Sequence, residues 1–438
     1  MLESLHLKNV GPAPEMEMGL APRLNLITGD NGLGKSFLLD VAWWALTRRW
    51  PQEINPKLTS GYPARPSDVT RPATIEFRVR AKSRSVAYES RYVPREEAWM
   101  GKAGRPWNPG LVIYAHTDGG FSVWDPARNY WTKKGNIDVQ DRLPGFVFSA
   151  REVWDGLEAD IKGQRTVVCN GLIRDWASWI RESGLDSEWM DAVLAVMSPS
   201  LEERDRLIAG PLTRISVSDA RDIPSIRTGS VKAVPILHAS SGVRRIVALT
   251  YVLLWSVREH RVAAHLLGDA PTNQVVLLID EIESHLHPRW QRSILGSLLS
   301  VAAVLYPEAT IQLITATHSP LVLASAEPIF DADQDAWFDL DWNADNNGGR
   351  VELRKRTFVS HGDVSNWLTS EAFDLKVSRS IPAENAIEKA RALLRRRESP
   401  TLAEAQAVDI ELRHARLPDI DPFWVRWGAF MEEIGGAG

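Results

Sequence analysis

The chain has 438 residues, 51 Lys+Arg against 56 Asp+Glu, a formal net charge of -5, 44% hydrophobic residues and a single cysteine. At roughly 150 residues per domain this is about three units with a large core, which excludes a disordered chain, and the lone thiol, Cys169, excludes an internal disulfide. The near-neutral total excludes a wholly basic nucleic-acid coat while leaving a local basic patch open.

Leu2 to Leu7 alternates as a strand does, and Arg23 to Thr28 is a second, apolar strand. A glycine-rich turn follows, and Phe37 to Arg48 then shows helical spacing at Leu38, Val41, Ala42 and Ala45. Thr74 to Arg80 predicts another strand. Between Ser85 and Trp131, Leu111–Tyr114 and Phe121–Trp124 flank an Asp118-Gly119-Gly120 hairpin signal, so this stretch is predicted to be an antiparallel β insertion. Residues 150–208 predict helices, with Leu172–Ile180 and Trp189–Met197 as the amphipathic candidates, and 209–236 returns to short Pro-containing strands. Leu237–Val257 begins with a Ser-Gly turn and continues as a strongly apolar helix. Gln274–Ile279 and Ile311–Ala316 are aliphatic runs of the kind buried on both faces of a parallel sheet. After the turn-rich break at Asp345–Gly349, one strand and then helices are expected, and no internal repeat is visible.

Tryptophan is over-used, 18 against 11 Phe and 7 Tyr, but Trp43, Trp44, Trp176, Trp179, Trp255 and Trp290 fall in helical patterns, which favours core packing over base stacking. The longest apolar stretches, Val247–Val257 and Ile294–Tyr306, are shorter than the roughly 18 residues a membrane span needs and are read as buried helices. No charged leader precedes the first strand. The cytoplasm is the expected compartment, with no membrane partner.

The strongest chemical signal is Gly29-Asp30-Asn31-Gly32-Leu33-Gly34-Lys35-Ser36, which fits G-x-x-x-x-G-K-[ST] with a strand before it and a helix after it. A polyphosphate needs backbone N–H groups converging on one concavity and a helix N-terminus behind them. In that reading Lys35 reaches the β- and γ-phosphates of ATP and Ser36 holds Mg²⁺. Val275 to Ile279 ends in Asp280-Glu281, an aliphatic strand delivering a metal carboxylate, Asp280, and a candidate general base, Glu281. Two acidic residues can also simply begin a helix, but the P-loop upstream favours the catalytic reading.

With these residues in view, the chain resembles the ABC-type ATPase heads of the SMC and RecF group, and within it the compact prokaryotic AAA family proteins often found in antiphage systems. Three further stretches carry the resemblance. His238-Ala239-Ser240-Ser241-Gly242-Val243-Arg244-Arg245 is similar to the signature motif, Glu283-Ser284-His285-Leu286-His287-Pro288 to the D-loop, and Thr317-His318-Ser319-Pro320 to the switch-histidine turn. Their order and spacing match over residues 1 to about 330. The resemblance implies that Ser240, Ser241 and Gly242 contact the γ-phosphate held by a second copy, that His318 is a γ-phosphate sensor, and that ATP closes a homodimer or a higher oligomer. Ser241 and Val243 depart from the usual Leu-Ser-Gly-Gly-Gln/Glu form. The glutamine that usually samples the metal is not placed: Phe146–Arg151, where the resemblance expects it, contains none, and Gln140 and Gln164 stand as alternatives. His285 and His287 beside Asp280, Glu281 and Glu283 raise a transition-metal site, against the place the resemblance gives them in the dimer interface.

The expected fold class is α/β, a P-loop NTPase head of ABC type with an antiparallel β subdomain, a helical insertion and a helical C-terminal tail. The boundaries read as 1–149 for the N-terminal lobe, 150–236 for the helical and β insertion, 237–345 for the C-terminal lobe and 346–438 for the tail. Long coiled-coil arms are excluded because no sustained heptads occur between the lobes. Basic residues Arg151, Lys162, Arg165, Arg174 and Arg181 in the insertion, and Arg350, Arg354, Lys355, Arg356, Arg391, Arg395, Arg396 and Arg397 in the tail, leave DNA open as a partner. No nuclease motif follows the ATPase motifs, so a nuclease or toxin effector is expected on another chain. The function expected is an ATP-hydrolysing switch in antiphage defence or DNA repair. The alternative is a slowly hydrolysing, nucleotide-gated scaffold that restrains such an effector; a transporter ATPase ranks below both.

Overall fold

The structure, a computed structural model, describes residues 1–436 except 81–83, 102–106, 130–131, 135–136, 140–142, 162, 201, 230–231, 344–348, 374 and 397–399. Gln140, Lys162, Arg397 and most of the turn-rich break at 345–349 lie outside the described residues. The chain divides into two compact units, 1–362 and 363–438.

In the first unit, strands β1 (Leu2–Lys8) and β2 (Glu15–Gly19) precede β3 (Leu24–Gly29), which runs through the glycine-rich loop into helix α1 (Lys35–Thr47). After the short α2 (Pro51–Ile54) come β4 (Thr74–Arg80), β5 (Ser85–Val93) and β6 (Ala98–Trp99). These form an antiparallel sheet in the order β2-β1-β4-β5-β6. Its alternation is the reason it exists: Leu5, Leu7, Ile75, Phe77 and Val79 are buried on one face while Lys8, Arg78 and Arg80 face water.

Next come β7 (Leu111–Ala115), β8 (Phe121–Trp124), the hairpin of β9 (Thr132–Lys134) with β10 (Ile137–Val139), and β11 (Phe146–Phe148). The insertion follows as α3 (Ala150–Asp155), β12 (Leu157–Ile161), β13 (Gln164–Cys169), α4 (Leu172–Glu182), α5 (Leu185–Val196), β14 (Leu207–Ala209), β15 (Ser225–Thr228) and β16 (Val234–Pro235). The C-terminal lobe supplies α6 (Ser241–Leu267), β17 (Gln274–Ile279), α7 (Pro288–Gln291), α8 (Ile294–Leu305), β18 (Thr310–Ala316), α9 (Pro320–Ala326), β19 (Asp335–Asn343) and β20 (Arg350–Arg356).

The main sheet has the order β11-β8-β7-β17-β18-β3-β19-β20. Its centre, β7 to β19, is parallel, and antiparallel strands close both sides. α1 is lodged between the two sheets. One apolar cluster joins Leu5, Ile75 and Phe77 of the small sheet, Trp43 and Trp44 of α1, and Val276, Leu278 and Ile314 of the large one. Its apolar residues run almost all round, as burial on every side requires.

Three sequence expectations change. Leu111–Ala115 is not part of an antiparallel insertion: β7 pairs in parallel with β17, Ala115 opposite Ile279, and only its other edge takes the hairpin partner β8. Residues 157–169 are not helical but an antiparallel hairpin of β12 and β13, because Leu157 and Ile161 satisfy both a four-residue and a two-residue period. The sheet also runs past the break at 345–349, since β20 pairs with β19 and keeps residues to Gly362 in the first unit.

Five of the six tryptophans singled out are buried, and Trp290 is half-buried with its indole N–H donating to Met197 O at 2.9 Å. Trp255 of α6 takes Phe146 and Phe148 edge-on at 5.8 and 5.3 Å.

The second unit contains α10 (Val364–Leu368), α11 (Ile381–Arg395), α12 (Leu402–His414) and α13 (Phe423–Gly436). Ala383, Ile387 and Ala390 of α11 meet Leu412 and Trp427 in a separate small core. Thr401 and Glu404 form a reciprocal capping box at the start of α12. No helix among the described residues is long and apolar enough to cross a membrane.

Candidate active site

β3 ends at Gly29, whose φ of +133° and close packing against Leu340 admit only glycine; a Cβ there would lie 2.3 Å from the Leu340 carbonyl oxygen. Asp30, Asn31, Gly32 and Ser36 are exposed at the mouth of the loop, Gly34 caps α1, and Leu33 is tucked into the core. Lys35 is buried, and its ammonium donates to the carbonyl oxygens of Gly29 at 2.7 Å and Asp30 at 2.8 Å. Burial pulls its pKa below the usual lysine range, opposed by Asp280, Glu281, Asp30 and Glu283. The acidic cluster and the loop lysine therefore share one field.

β17 delivers that cluster. Asp280 is 1% exposed; its N–H donates to Ala115 O at 3.0 Å, and its Oδ2 accepts from the Thr117 hydroxyl at 2.5 Å. Its Oδ1 is buried with no hydrogen-bond partner among the described residues. A buried carboxylate oxygen without a donor needs a cation or a cation-bound water to offset its lost hydration, so Asp280, whose charge acts on Lys35 next to the exposed Ser36, fits a Mg²⁺ ion with a mostly aqueous shell.

Glu281 stands in the left-handed region, φ +47°. Burial, then the Asp280 charge, raises its carboxyl above the usual range, while Lys35, Arg245 and His285 act the other way. Among the described residues its carboxylate has no side-chain hydrogen bond, which leaves it free to accept a proton from water.

Glu283, not singled out by itself in the sequence, fixes the turn after β18. Its Oε2 accepts from the Thr317 hydroxyl at 2.7 Å and its Oε1 from the His318 N–H at 2.5 Å. Burial, then the Lys35 charge, lowers the His318 pKa, so its imidazole is neutral at pH 7. The signature-like segment is elsewhere on this edge. Ser240 caps α6, accepting from Val243 N–H at 3.4 Å, and Gly242 lies so close to the D-loop-like segment that a Cβ would be 2.7 Å from the His285 carbonyl oxygen. Among the described residues no hydrogen bond joins 240–242 to the P-loop of the same chain.

His287 caps α7, its Nδ1 accepting from Arg289 N–H at 3.3 Å, and among the described residues no group of three or more His, Cys, Asp or Glu could hold a metal ion. Phe146–Phe148, expected at the lobe junction, is the outermost strand of the sheet, with β8 and β7 between it and β17. Gln164 begins β13 and is exposed. The side chain that touches the Asp280 carboxylate is Thr117, which no sequence pattern marked because β7 was not expected beside β17.

Among solved structures, an SMC head bound to the C-winged-helix domain of ScpA aligns over 81% of this chain and 97% of its own, at 12% identity and a TM-score of 0.39. The SMC head domain from Thermotoga maritima aligns over 81% and 99%, at 14% identity and 0.38. The recombination mediator protein RecF aligns over 82% and 98%, at 13% and 0.36. In sequence, the retron Vc95 probable ATPase of Vibrio cholerae serotype O1 biovar El Tor is 34% identical over 113 residues, 26% of this chain. The aligned part spans 20%, about a fifth, of that curated relative's length. Residues 24–324 match the family described as "AAA domain, putative AbiEii toxin, Type IV TA system". That match takes in the P-loop, the acidic strand end and the switch-histidine turn, and the chain belongs to this AAA-domain family.

Proposed function

We propose that this protein is an ATP-hydrolysing switch. The observation that carries the reading is the convergence of Lys35, Asp280, Glu281 and His318 at the C-terminal edge of parallel strands, behind a glycine loop that opens a helix. Lys35 would leave the Gly29 and Asp30 carbonyls for the β- and γ-phosphates. Ser36 and Asp280 would hold Mg²⁺, which neutralises phosphate charge when bound. Glu281 accepts the proton of the attacking water, and its raised pKa suits that task. His318, held by Glu283 through its own N–H, presents a neutral imidazole toward the γ-phosphate. A second copy supplies Ser240, Ser241 and Gly242, whose hydrogen bonds to a γ-phosphate last only until hydrolysis.

The setting we infer is defence, supported by the family description and by the retron relative's name, with a separately encoded effector. Ion pairing weighs against a large free basic surface. Arg151 pairs with Asp155, Arg165 with Glu158, Arg181 with Asp222, Arg350 and Arg354 with Glu352, Arg356 with Asp339, and Arg396 with Glu404. Among the described residues, Arg174, Lys355, Arg391 and Arg395 remain exposed, so any DNA contact is predicted to be weak and salt-sensitive.

The test is nucleotide binding and steady-state phosphate release, with and without DNA. Lys35→Ala should lower ATP affinity at least about a hundredfold, since it removes a charge-assisted contact and leaves the P-loop carbonyls alone; retained affinity would refute the P-loop assignment. ATP-dependent dimers with almost no turnover would transfer the reading to a nucleotide-gated scaffold.

A further inference from the structure

The turn between β7 and β8 lies where two strand ends meet. Ala115 is in parallel register with Ile279, and the Asp280 N–H donates to the Ala115 carbonyl at 3.0 Å. Two consecutive residues of this turn make contacts of different kinds. Thr117 Oγ1 donates to Asp280 Oδ2 at 2.5 Å, and the His116 carbonyl accepts from Arg245 Nη2 at 2.7 Å. Arg245 stands at the start of the second turn of α6, three residues beyond Gly242. The turn thus connects the helix that begins with the signature-like segment to the carboxylate that would hold the metal.

The turn is rigid. The His116 ring is fixed by Ser122 Oγ at 2.7 Å and Ser60 Oγ at 3.2 Å and lies against Tyr114, centroids 4.0 Å apart. Asp118 accepts from the N–H and hydroxyl of Thr59 at 3.0 and 2.9 Å and from Gly120 N–H at 2.9 Å. A displacement at Arg245 is therefore passed on, not absorbed, between residues 116 and 117.

Arg245 is a costly residue to keep in this place. Its guanidinium is 5.6 Å from the Phe121 ring centroid, and Nη1 is buried without a hydrogen-bond partner among the described residues. A salt bridge or an apolar side chain would stabilise the site better if packing were its only role. Asp280 Oδ1 is likewise buried without a hydrogen-bond partner among the described residues. One contact, Thr117 to Oδ2, holds the Asp280 carboxylate in its rotamer.

We propose that Arg245 and Thr117 are positioning residues of a relay that carries docking of residues 240–242 on a second copy to the metal-binding carboxylate Asp280 of the same chain. The proposal rests on the nucleotide reading above. When the α6 N-terminus is fixed by a neighbouring nucleotide, Arg245 fixes the 116–120 turn and the Thr117 hydroxyl holds Asp280 in its metal-binding orientation. The contacts of the relay are already formed in the single chain, so docking would hold in place an arrangement that exists.

The experiment uses the full chain, a fluorescent ATP analogue titrated with and without Mg²⁺, and turnover at saturating ATP. Thr117→Val removes the hydroxyl at nearly constant volume and should lose about tenfold of the Mg²⁺-dependent gain in affinity, with metal-free affinity unchanged. Thr117→Ser should restore it. Arg245→Lys keeps the charge but not the fork; it should slow turnover about tenfold at unchanged nucleotide affinity. The double variant should be no slower than Thr117→Val alone, because both act through one contact chain. Equal loss of metal-free affinity in Thr117→Val, failure of serine to restore, or additive losses in the double variant would overturn the relay. If Arg245→Lys melts early, the valine and serine pair still decides on the Mg²⁺ dependence. Tight nucleotide binding by Lys35→Ala would instead remove the nucleotide reading beneath it.

Discussion

Among the described residues, the first unit buries Lys35, Asp280 and much of Arg245 and leaves Asp280 Oδ1 and Arg245 Nη1 without hydrogen-bond partners, whereas the second keeps most of its charged side chains at the surface, several of them in ion pairs. In the tail Lys389 meets Glu411 at 2.6 Å, Arg396 meets Glu404 at 2.9 Å and Arg413 meets Asp409 at 2.7 Å. Its buried carboxylate, Asp421, is satisfied by both Nε and Nη2 of Arg379 at 2.7 and 2.8 Å. Burying a charge with an open valence costs stability, and such sites persist where a ligand completes them. The tail is built to fold; the sheet edge of the first unit is built to be completed.

That contrast can be broken by substitutions in each region. The largest effect belongs to Glu281→Gln, expected to slow phosphate release by about 10² to 10⁴ and to accumulate an ATP-dependent dimer on a sizing column; unchanged turnover would take Glu281 out of the chemistry. In the tail, Trp427 is 1% exposed and its indole N–H donates to Asp409 at 3.0 Å. Trp427→Ala should cost the second unit about 3–5 kcal/mol in urea melts while ATP affinity stays the same. A parallel fall in affinity would erase the distinction between the two regions.

A third test separates buried charge from its solvent-exposed counterpart by pH. Asp40 of α1 accepts from the Tyr114 hydroxyl at 2.9 Å, and burial pushes its carboxyl up to about 8. The folded state therefore holds a proton that the unfolded state releases above about pH 4. Stability from this group is complete below that pH and is lost as pH rises toward 8. Asp40→Asn should flatten this slope, by about 4 kcal/mol at most between pH 5 and 8, read from urea midpoints. The smallest change is Lys389→Ala, about 0.5 kcal/mol or less for an exposed pair; a loss several times larger would mean that the tail's surface pairs act as a network.

Much of this edge is legible from local pattern. The P-loop is contiguous and flanked by its strand and helix, and Gln274–Ile279 is a strand over the very residues its aliphatic run predicts. What local pattern cannot carry is pairing across long separations. Leu111–Ala115 looks the same whether its neighbour is parallel or antiparallel, and its parallel partner begins only at Gln274. Thr117 thus gave no sign of meeting Asp280, 163 residues away, nor Glu283 of holding the His318 turn, 35 residues away. The hairpin at 157–169 was hidden by half-exposed strands whose few apolar residues also fit a helix.

The strand order has a consequence for synthesis. β3, which carries the P-loop, takes both of its neighbours, β18 and β19, from residues 310–343. At about 5–20 residues per second, the P-loop strand waits roughly 15 to 60 s on the ribosome before either flank exists. During that interval its apolar run Leu24–Ile27 has no sheet to join. The newborn first half cannot bind nucleotide as the finished head would, and it is a predicted client of holding chaperones until β19 has emerged.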